Sequence, residues 1–392
     1  MALGINSPWY IKEVTLDKES NHLTLFIDFE IGSKFNCPTC DELCPVYDTK
    51  QKRWQHLNFW QYCCYLTARV PRVHCTKCNK TLQVQAPFAR EGSGFSLLLE
   101  CMMLEFAKIM PVSEVAKMFA IGDDRVWTVI HHYIPPAVMA KDWSMVSNIG
   151  IDETSHKKGH KYITTVTDLD TSTVLFITDG KDKSTVEDFR NALESRKLNV
   201  NQIQNIASDL SPAFILGIKN NFPEANHVFD KFHVVKIVNK AVDDVRKREE
   251  KSNERVRKCK YSLLKNRENL TANQEIKLQD ILAEYTLSGE AYNFKLGFQA
   301  LFTMPSKEEA KSYLDDWISS VKQSGILEMQ KLAKSIKRHS DRILNWFDKK
   351  ISNGKVEALN CGIQNLKRRA KGFRTLANFK ALVYLVMGKL SF

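Results

Sequence analysis

Between Asn148 and Phe229 the chain runs through strand-like and helical patterns in one order, and that order limits the possible folds more than any other feature. Asn148 to Asp152, Lys161 to Thr167 and Thr173 to Thr178 are short runs rich in apolar and β-branched residues, separated by turn-like segments. Ser184 to Arg196 takes a helical period, with Ser184 and Glu187 spaced as a capping box. Ile203 to Ser208 then predicts a strand, Pro212 to Asn221 a helix and His227 to Phe229 a fifth strand. Asp152 closes the first of these strands and Asp209 follows the fourth.

Three strands, a helix, a strand, a helix and a strand is the order of the RNase H-like fold, an α/β architecture whose first and fourth strands are parallel neighbours. Asp152 and Asp209 are therefore expected side by side at one sheet edge, where open α/β sheets bind ligands. Glu153, one residue on, is expected on the opposite face. A third acid, Glu357, opens a basic helical stretch in Asn353-Gly-Lys-Val-Glu-Ala-Leu-Asn. Two aspartates and a glutamate offer the hard oxygen donors that Mg²⁺ or Mn²⁺ prefer. They can hold two such ions about 4 Å apart, which is phosphoryl-transfer chemistry on nucleic acid. In Asp230-Lys-Phe-His233, just past the fifth strand, Asp230 and His233 share a helical face. They could position metal or phosphate, or Asp230 could cap the helix. A basic turn with His156, Lys157, Lys158, His160 and Lys161 could touch phosphate or lie solvated.

Val234 to about Phe347 carries almost no strand signal and predicts a charged helical insertion, with helices such as Lys236 to Arg257 and Ser306 to Val321. Beyond Glu357, Lys367, Arg368 and Arg369 form a basic cluster for contact with DNA, and Gly372 suits the C-terminal cap of that helix.

The first 90 residues read differently. His22 to Phe29 and Tyr62 to Val73 are strand-like, and Cys37-Pro-Thr-Cys40 and Cys75-Thr-Lys-Cys78 fall on turns beside strands. Ten cysteines without a secretory signal point to metal ligands before disulfides. Four thiolates in two pairs can close a tetrahedral Zn²⁺ site, the layout of a zinc ribbon, the alternative being four reduced structural cysteines. Cys101, Cys259 and Cys361 stand alone in helical patterns and are expected to be buried as small hydrophobes. From Pro111 to Ile130 the pattern predicts a helix, a tight turn at Gly122 and a second helix capped by Asp123 or Asp124. Val115, Ala116, Phe119, Ile121, Val126 and Ile130 would form its core. This spacing suits a helix-turn-helix with Arg125, Thr128 and His131 facing a DNA groove, and a plain helical hairpin gives the same apolar pattern. Pro135-Pro136 is expected to end the second helix.

Lys and Arg outnumber Asp and Glu by 57 to 45, a formal charge of +12 that favours a polyanionic partner. No apolar run reaches the roughly 20 residues of a spanning helix, and the N-terminus lacks the pattern of a signal peptide. A cytoplasmic, nucleoid-associated DNA-binding protein is the expectation, with no membrane partner.

Taken in order, these motifs resemble the bacterial insertion-sequence transposases of the ISL3 family. The likeness rests on the two Cys-x-x-Cys pairs, Gly150-Ile-Asp-Glu, Gly180-Lys-Asp-Lys-Ser-Thr, Ser208-Asp-Leu-Ser, Asp230-Lys-Phe-His-Val-Val-Lys, Asn353-Gly-Lys-Val-Glu-Ala-Leu-Asn and Leu366-Lys-Arg-Arg-Ala-Lys-Gly. Where such transposases usually have Gly after the glutamate, this chain has Ala358. The resemblance implies a DDE triad of Asp152, Asp209 and Glu357 that binds Mg²⁺ or Mn²⁺. It also implies binding to double-stranded terminal inverted repeats and target DNA, cleavage and transfer of strands, and a homodimer on the DNA ends. The domain map that follows is a zinc ribbon at 1–90, a helix-turn-helix at 91–145 and the first part of an RNase H-like core at 146–235. A helical insertion at 236–347 and the helices of the core carrying Glu357 at 348–392 complete it. The alternatives are a DNA-binding protein with a relic catalytic domain and an RNase H-like nuclease.

Overall fold

The computed structural model describes residues 5–157, 161–284, 286–349 and 354–392. Lys158 and His160 of the expected basic turn, and Asn353 of the Glu357 motif, lie outside them. The architecture is mixed α/β with a helical insertion, and the chain divides into two compact units, Met1–Ala140 with Lys367–Phe392, and Lys141–Leu366.

The first unit opens with strands β1 (Trp9–Asp17), β2 (His22–Phe29), β3 (Lys34–Asn36), β4 (Leu43–Gln55), β5 (Cys63–Cys75) and β6 (Lys80–Gln83). They form one sheet in the order β1-β2-β5-β4-β3, with β6 on β5. Alternation along β2 and β5 turns Ile27, Phe29, Leu66, Ala68, Val70 and Val73 inward against Trp9, Trp54 and Phe88. Helices α1 (Leu97–Ile109), α2 (Val112–Met118) and α3 (Asp123–Ala140) follow. Val115, Ala116, Phe119, Val126 and Ile130 are buried as expected, and Ile121 is half-buried. The left-handed residue of the turn is Ala120, at φ 52°, not Gly122. Sheet and helices are continuous here, since Gln55 Nε2 donates to Phe119 O at 2.7 Å and His56 Nδ1 pairs with Ser96 Oγ at 2.7 Å. The expected break at Pro135-Pro136 does not occur, and α3 runs on to Ala140. Both prolines are exposed, so their rings point away from the packed face of the helix, while Ile134 stays buried.

The second unit carries a five-stranded sheet of β7 (Asn148–Lys157), β8 (Lys161–Asp168), β9 (Thr173–Asp179), β10 (Asn205–Ser208) and β11 (Asn226–Phe229), in the order β11-β10-β7-β8-β9. Helices α4 (Ser184–Ser195) and α5 (Pro212–Asn221) cover one face through Val186, Phe189, Phe214 and Ile218. The expected capping box at Ser184 is absent. Asp182 caps α4 instead, its Oδ1 accepting from the Ser184 amide at 2.9 Å and the Ser184 hydroxyl at 2.6 Å.

The insertion consists of helices α6 (Lys231–Glu249), α7 (Glu254–Arg257), α8 (Lys260–Leu264), α9 (Ala272–Ala283), α10 (Leu287–Ala300), α11 (Lys307–Gln323), α12 (Leu327–Arg338), α13 (Ser340–Leu344) and α14 (Trp346–Lys349). It has its own core around Val238, Val242, Leu278, Phe298, Trp317 and Ile336. Helix α15 (Gly354–Arg369) returns to the sheet, and the division between the units falls inside it. Its end is closed as expected by Gly372, at φ 102°, whose amide donates to Lys367 O at 3.2 Å. The last helix, α16 (Leu376–Met387), packs with α3 and α1 of the first unit, so residues 348–392 do not form one segment of the second unit. Of the lone cysteines only Cys259 is buried; Cys101 and Cys361 are exposed.

Candidate functional site

Parallel register builds the acidic centre. β10 pairs with β7 up to Ser208↔Ile151 and with β11 up to Ser208↔Phe229. The next residue on each strand is Asp152, Asp209 and Asp230, so three aspartates stand abreast where the two parallel ladders stop. Asp152 is not at the end of its strand, as expected, because β7 continues to Lys157 against β8. It marks the end of the parallel ladder instead.

Asp152 is 9% exposed. Its Oδ1 accepts from the Glu153 amide at 2.7 Å and its Oδ2 from Asn360 Nδ2 of α15 at 2.6 Å. Burial pushes its carboxyl up to about 6. The Glu153 amide opposes this rise, as does His233, while Asp209 and Asp230 add to it. Asp209 Oδ1 accepts from the Ser211 amide at 2.9 Å. Glu153 is not isolated on the far face, since its carboxyl is raised by burial and feels both Lys181 and Asp209.

Asp230 takes the capping role expected of it. It caps α6, Oδ1 accepting from the Phe232 amide at 3.1 Å, and its Oδ2 accepts from His233 Nδ1 at 2.7 Å. That bond, ahead of the neighbouring acids, raises the affinity of His233 for a proton.

Glu357 is held differently. Val356 anchors α15 on the sheet beside Leu169 and Ala207, and a Cβ on Gly150 would collide with it, so β7 needs glycine there. Asn360 reaches Asp152, and Gln364 Nε2 donates to Thr154 Oγ1 at 2.6 Å. At 3.6 residues per turn Glu357 stands about 60° round the helix from Asn360 and about 20° from Gln364, on the flank that meets β7. Its side chain is exposed and makes no hydrogen bond or ion pair among the described residues.

The cysteine cluster is tighter. The sulfurs of Cys37, Cys40, Cys75 and Cys78 all lie within 4.8 Å of one another, and among the described residues this is the group of three or more potential ligands gathered so closely. A tetrahedral Zn–S site with bonds near 2.3 Å separates its sulfurs by roughly 3.8 Å, so these four fit Zn²⁺. The Cys78 amide, 3.4 Å from Cys75 Sγ, leads in drawing that thiol down to about 6. Sharing a proton with Cys40 leads in pushing Cys78 up to about 12. Four clustered thiols cannot all ionise without a cation between them.

The expected groove-facing residues of α3 are engaged within their own unit. Arg125 lies over the Phe95 ring at 4.1 Å, Thr128 Oγ1 donates back to Asp124 O at 2.9 Å, and His131 Nε2 pairs with Asn378 Oδ1 at 2.8 Å. Arg125 and Thr128 remain exposed, whereas His131 faces the C-terminal segment. Asn360 and Gln364 were missed from the sequence; their spacing from Val356, at i+4 and i+8, could have placed them on one face.

A helix-turn-helix in one unit and acids at the sheet edge of an α/β unit are the make-up of a transposase. Residues 84–134 match the helix-turn-helix domain of transposase family ISL3, and residues 149–383 match the transposase domain model of the same family. The chain belongs to the ISL3 family of transposases. It is 28% identical to the transposase for insertion sequence element IS1557 of Mycobacterium tuberculosis, over 90% of this chain and 85% of that protein. It is 26% identical to the transposase for insertion sequence element IS1001 of Bordetella parapertussis, over 86% of this chain and 85% of the relative. No helix among the described residues is long and apolar enough to cross a membrane.

Proposed function

We propose that the second unit is an RNase H-like DDE core that cleaves DNA strands and joins them with Asp152, Asp209 and Glu357, and that the first unit reads the terminal inverted repeats. The observation that carries this is the common register of Asp152 and Asp209, with α15 laid over Asp152 by Asn360. Asp152 and Asp209 are hard oxygen donors, and a buried carboxyl pushed up to about 6 marks a site short of positive charge. Mg²⁺ or Mn²⁺ bound by these acids would supply activation of water or a 3′-hydroxyl and stabilisation of the leaving oxygen. The protein's own part is orientation. The Glu153 amide and Asn360 fix one oxygen each of Asp152, and the Ser211 amide fixes Asp209. His233, held by Asp230 at 2.7 Å with its proton affinity raised by that bond, is suited to a phosphate oxygen.

In the first unit Cys37, Cys40, Cys75 and Cys78 hold Zn²⁺ in a ribbon within 1–90, and the helix-turn-helix within 91–145 contacts the terminal repeat through Arg125 and Thr128. Lys367, Arg368 and Arg369 add charge toward the DNA backbone. Assembly on paired ends is as a homodimer, in the cytoplasm at the nucleoid.

The test is Mg²⁺-dependent nicking of DNA that carries the element's ends. Asp152→Asn, Asp209→Asn and Glu357→Gln should each abolish nicking while leaving binding intact, and Glu308→Gln on α11 should stay active. Normal nicking by Glu357→Gln would remove it from the site and make Asp230→Asn the next variant to measure. An unaltered protein that binds the ends but never nicks them would establish the relic reading.

A further inference from the structure

Next to the acids the second unit has a groove of about 630 Å³ along one side of α6. Asp209 and His233 stand at its head, and Lys236, Lys240 and, from α8, Lys260 line its length. Its apolar floor is Leu210, Ile237 and Leu264. His233, Lys236, Ile237 and Lys240 recur at helical spacing, so one face of α6 carries them in a row.

The charges of α6 are not alike. In its last turns Arg246 bonds Asp243 at 2.8 Å and Glu250 at 2.5 Å, Lys247 bonds Asp243 at 2.8 Å, and Arg248 bonds Glu328 at 3.0 Å. Lys236, Lys240 and Lys260 have no acidic partner among the described residues, and Asp243, the other acid lining the groove, is taken up by Arg246 and Lys247. Asn239 also lines the groove, with its Oδ1 buried and lacking a hydrogen-bond partner among the described residues.

We propose that this groove holds a single-stranded stretch of DNA next to the bond being cut. Its phosphates rest on Lys236, Lys240 and Lys260, and an unstacked base lies on Leu210, Ile237 and Leu264. A positively charged groove that tracks the backbone, with side chains that take the base faces, is how single strands are held without sequence preference, and here aliphatic Leu210, Ile237 and Leu264 replace the usual aromatic platform. The volume lies in the roughly 300–1,000 Å³ range of small-ligand pockets, which suits one or two unstacked nucleotides rather than a duplex. The proposal rests on the reading that Asp209 belongs to the reaction centre, and it adds that the strand is melted there.

The experiment uses the full chain with zinc bound, in the absence of Mg²⁺, and two probes: a short blunt duplex, and the same duplex with a single-stranded oligothymidine arm. For the unaltered protein the arm should steepen the dependence of log affinity on log salt by about 2, from three phosphate contacts at roughly 0.7 each. The triple variant Lys236→Ala, Lys240→Ala, Lys260→Ala should lose that increment and bind the blunt duplex as before. An arm that adds nothing to the unaltered protein overturns the proposal, as does a triple variant that keeps the increment or loses equally on both probes. Circular dichroism of the variant shows that the fold is kept, as expected for exposed lysines. Binding is read without cleavage, so nicking by Asp152→Asn would defeat the catalytic assignment and leave this measurement standing.

Discussion

The four cysteines and the carboxylates of the proposed triad are assembled by opposite means. Each cysteine pair sits within one turn, and a single sheet brings the two turns together, so all four sulfurs gather within 4.8 Å. The acids come from separate strands and from a helix that follows the long insertion. Asp152 ends up buried while Glu357 remains exposed. Side chains set by local turns are gathered by the fold itself, whereas side chains set by tertiary register are brought into line without being drawn together. The first arrangement suits a structural site, and the second suits a site that must admit DNA.

The sharpest way to break this comparison is to strip the zinc. Chelation should cost the ribbon binding free energy on the order of 10 kcal/mol and unfold it, read by metal analysis and near-ultraviolet circular dichroism. Retention of a folded ribbon without metal would put the cysteines in the same class as the acids. Next in size, Asp152→Asn should lower nicking roughly a thousandfold, about 4 kcal/mol of barrier, and leave thermal stability equal or higher because a buried charge is removed.

A third measurement concerns the support beneath the acids. His227 is buried against Ser208 at 2.8 Å, and desolvation holds it down to about 3. The unfolded chain therefore takes up this proton first as pH falls through about 6.5, and the stability of the second unit declines from there toward pH 3. By pH 5 the loss should be about 2 kcal/mol in urea melts, and His227→Gln should flatten it. The smallest effect is that of Arg125→Ala. Its cation–π contact with Phe95 is worth about 0.5–1 kcal/mol of stability. A further loss confined to the terminal repeat, not random DNA, would show that it leaves Phe95 to read a base.

The parts legible in the sequence are those governed by short-range pattern. The strand and helix order from Asn148 to Phe229 follows period and turn chemistry, and the cysteine spacing alone picks out the four gathered sulfurs. Misreadings arose where tertiary contact outweighs local rule. Pro135-Pro136 stays helical because Ile134 is buried and both proline rings lie on the exposed side of the helix. Asp182 displaces Ser184 as the cap because a carboxylate accepts two bonds at once. The alignment of Asp230 with Asp152 and Asp209 depends on a pairing register that no single strand encodes. The covering of Asp152 by Asn360 depends on where α15 lands after the insertion.

One feature of the chain path bears on its synthesis. Residues 367–392 belong with residues 1–140, with Phe373 against Trp127 and Asn378 bonded to His131. A ribosome delivers the whole of the second unit before it delivers α16. The unit that carries the helix-turn-helix is thus the last to be completed, and a chain halted before Leu376 would leave α3 without its partner helix.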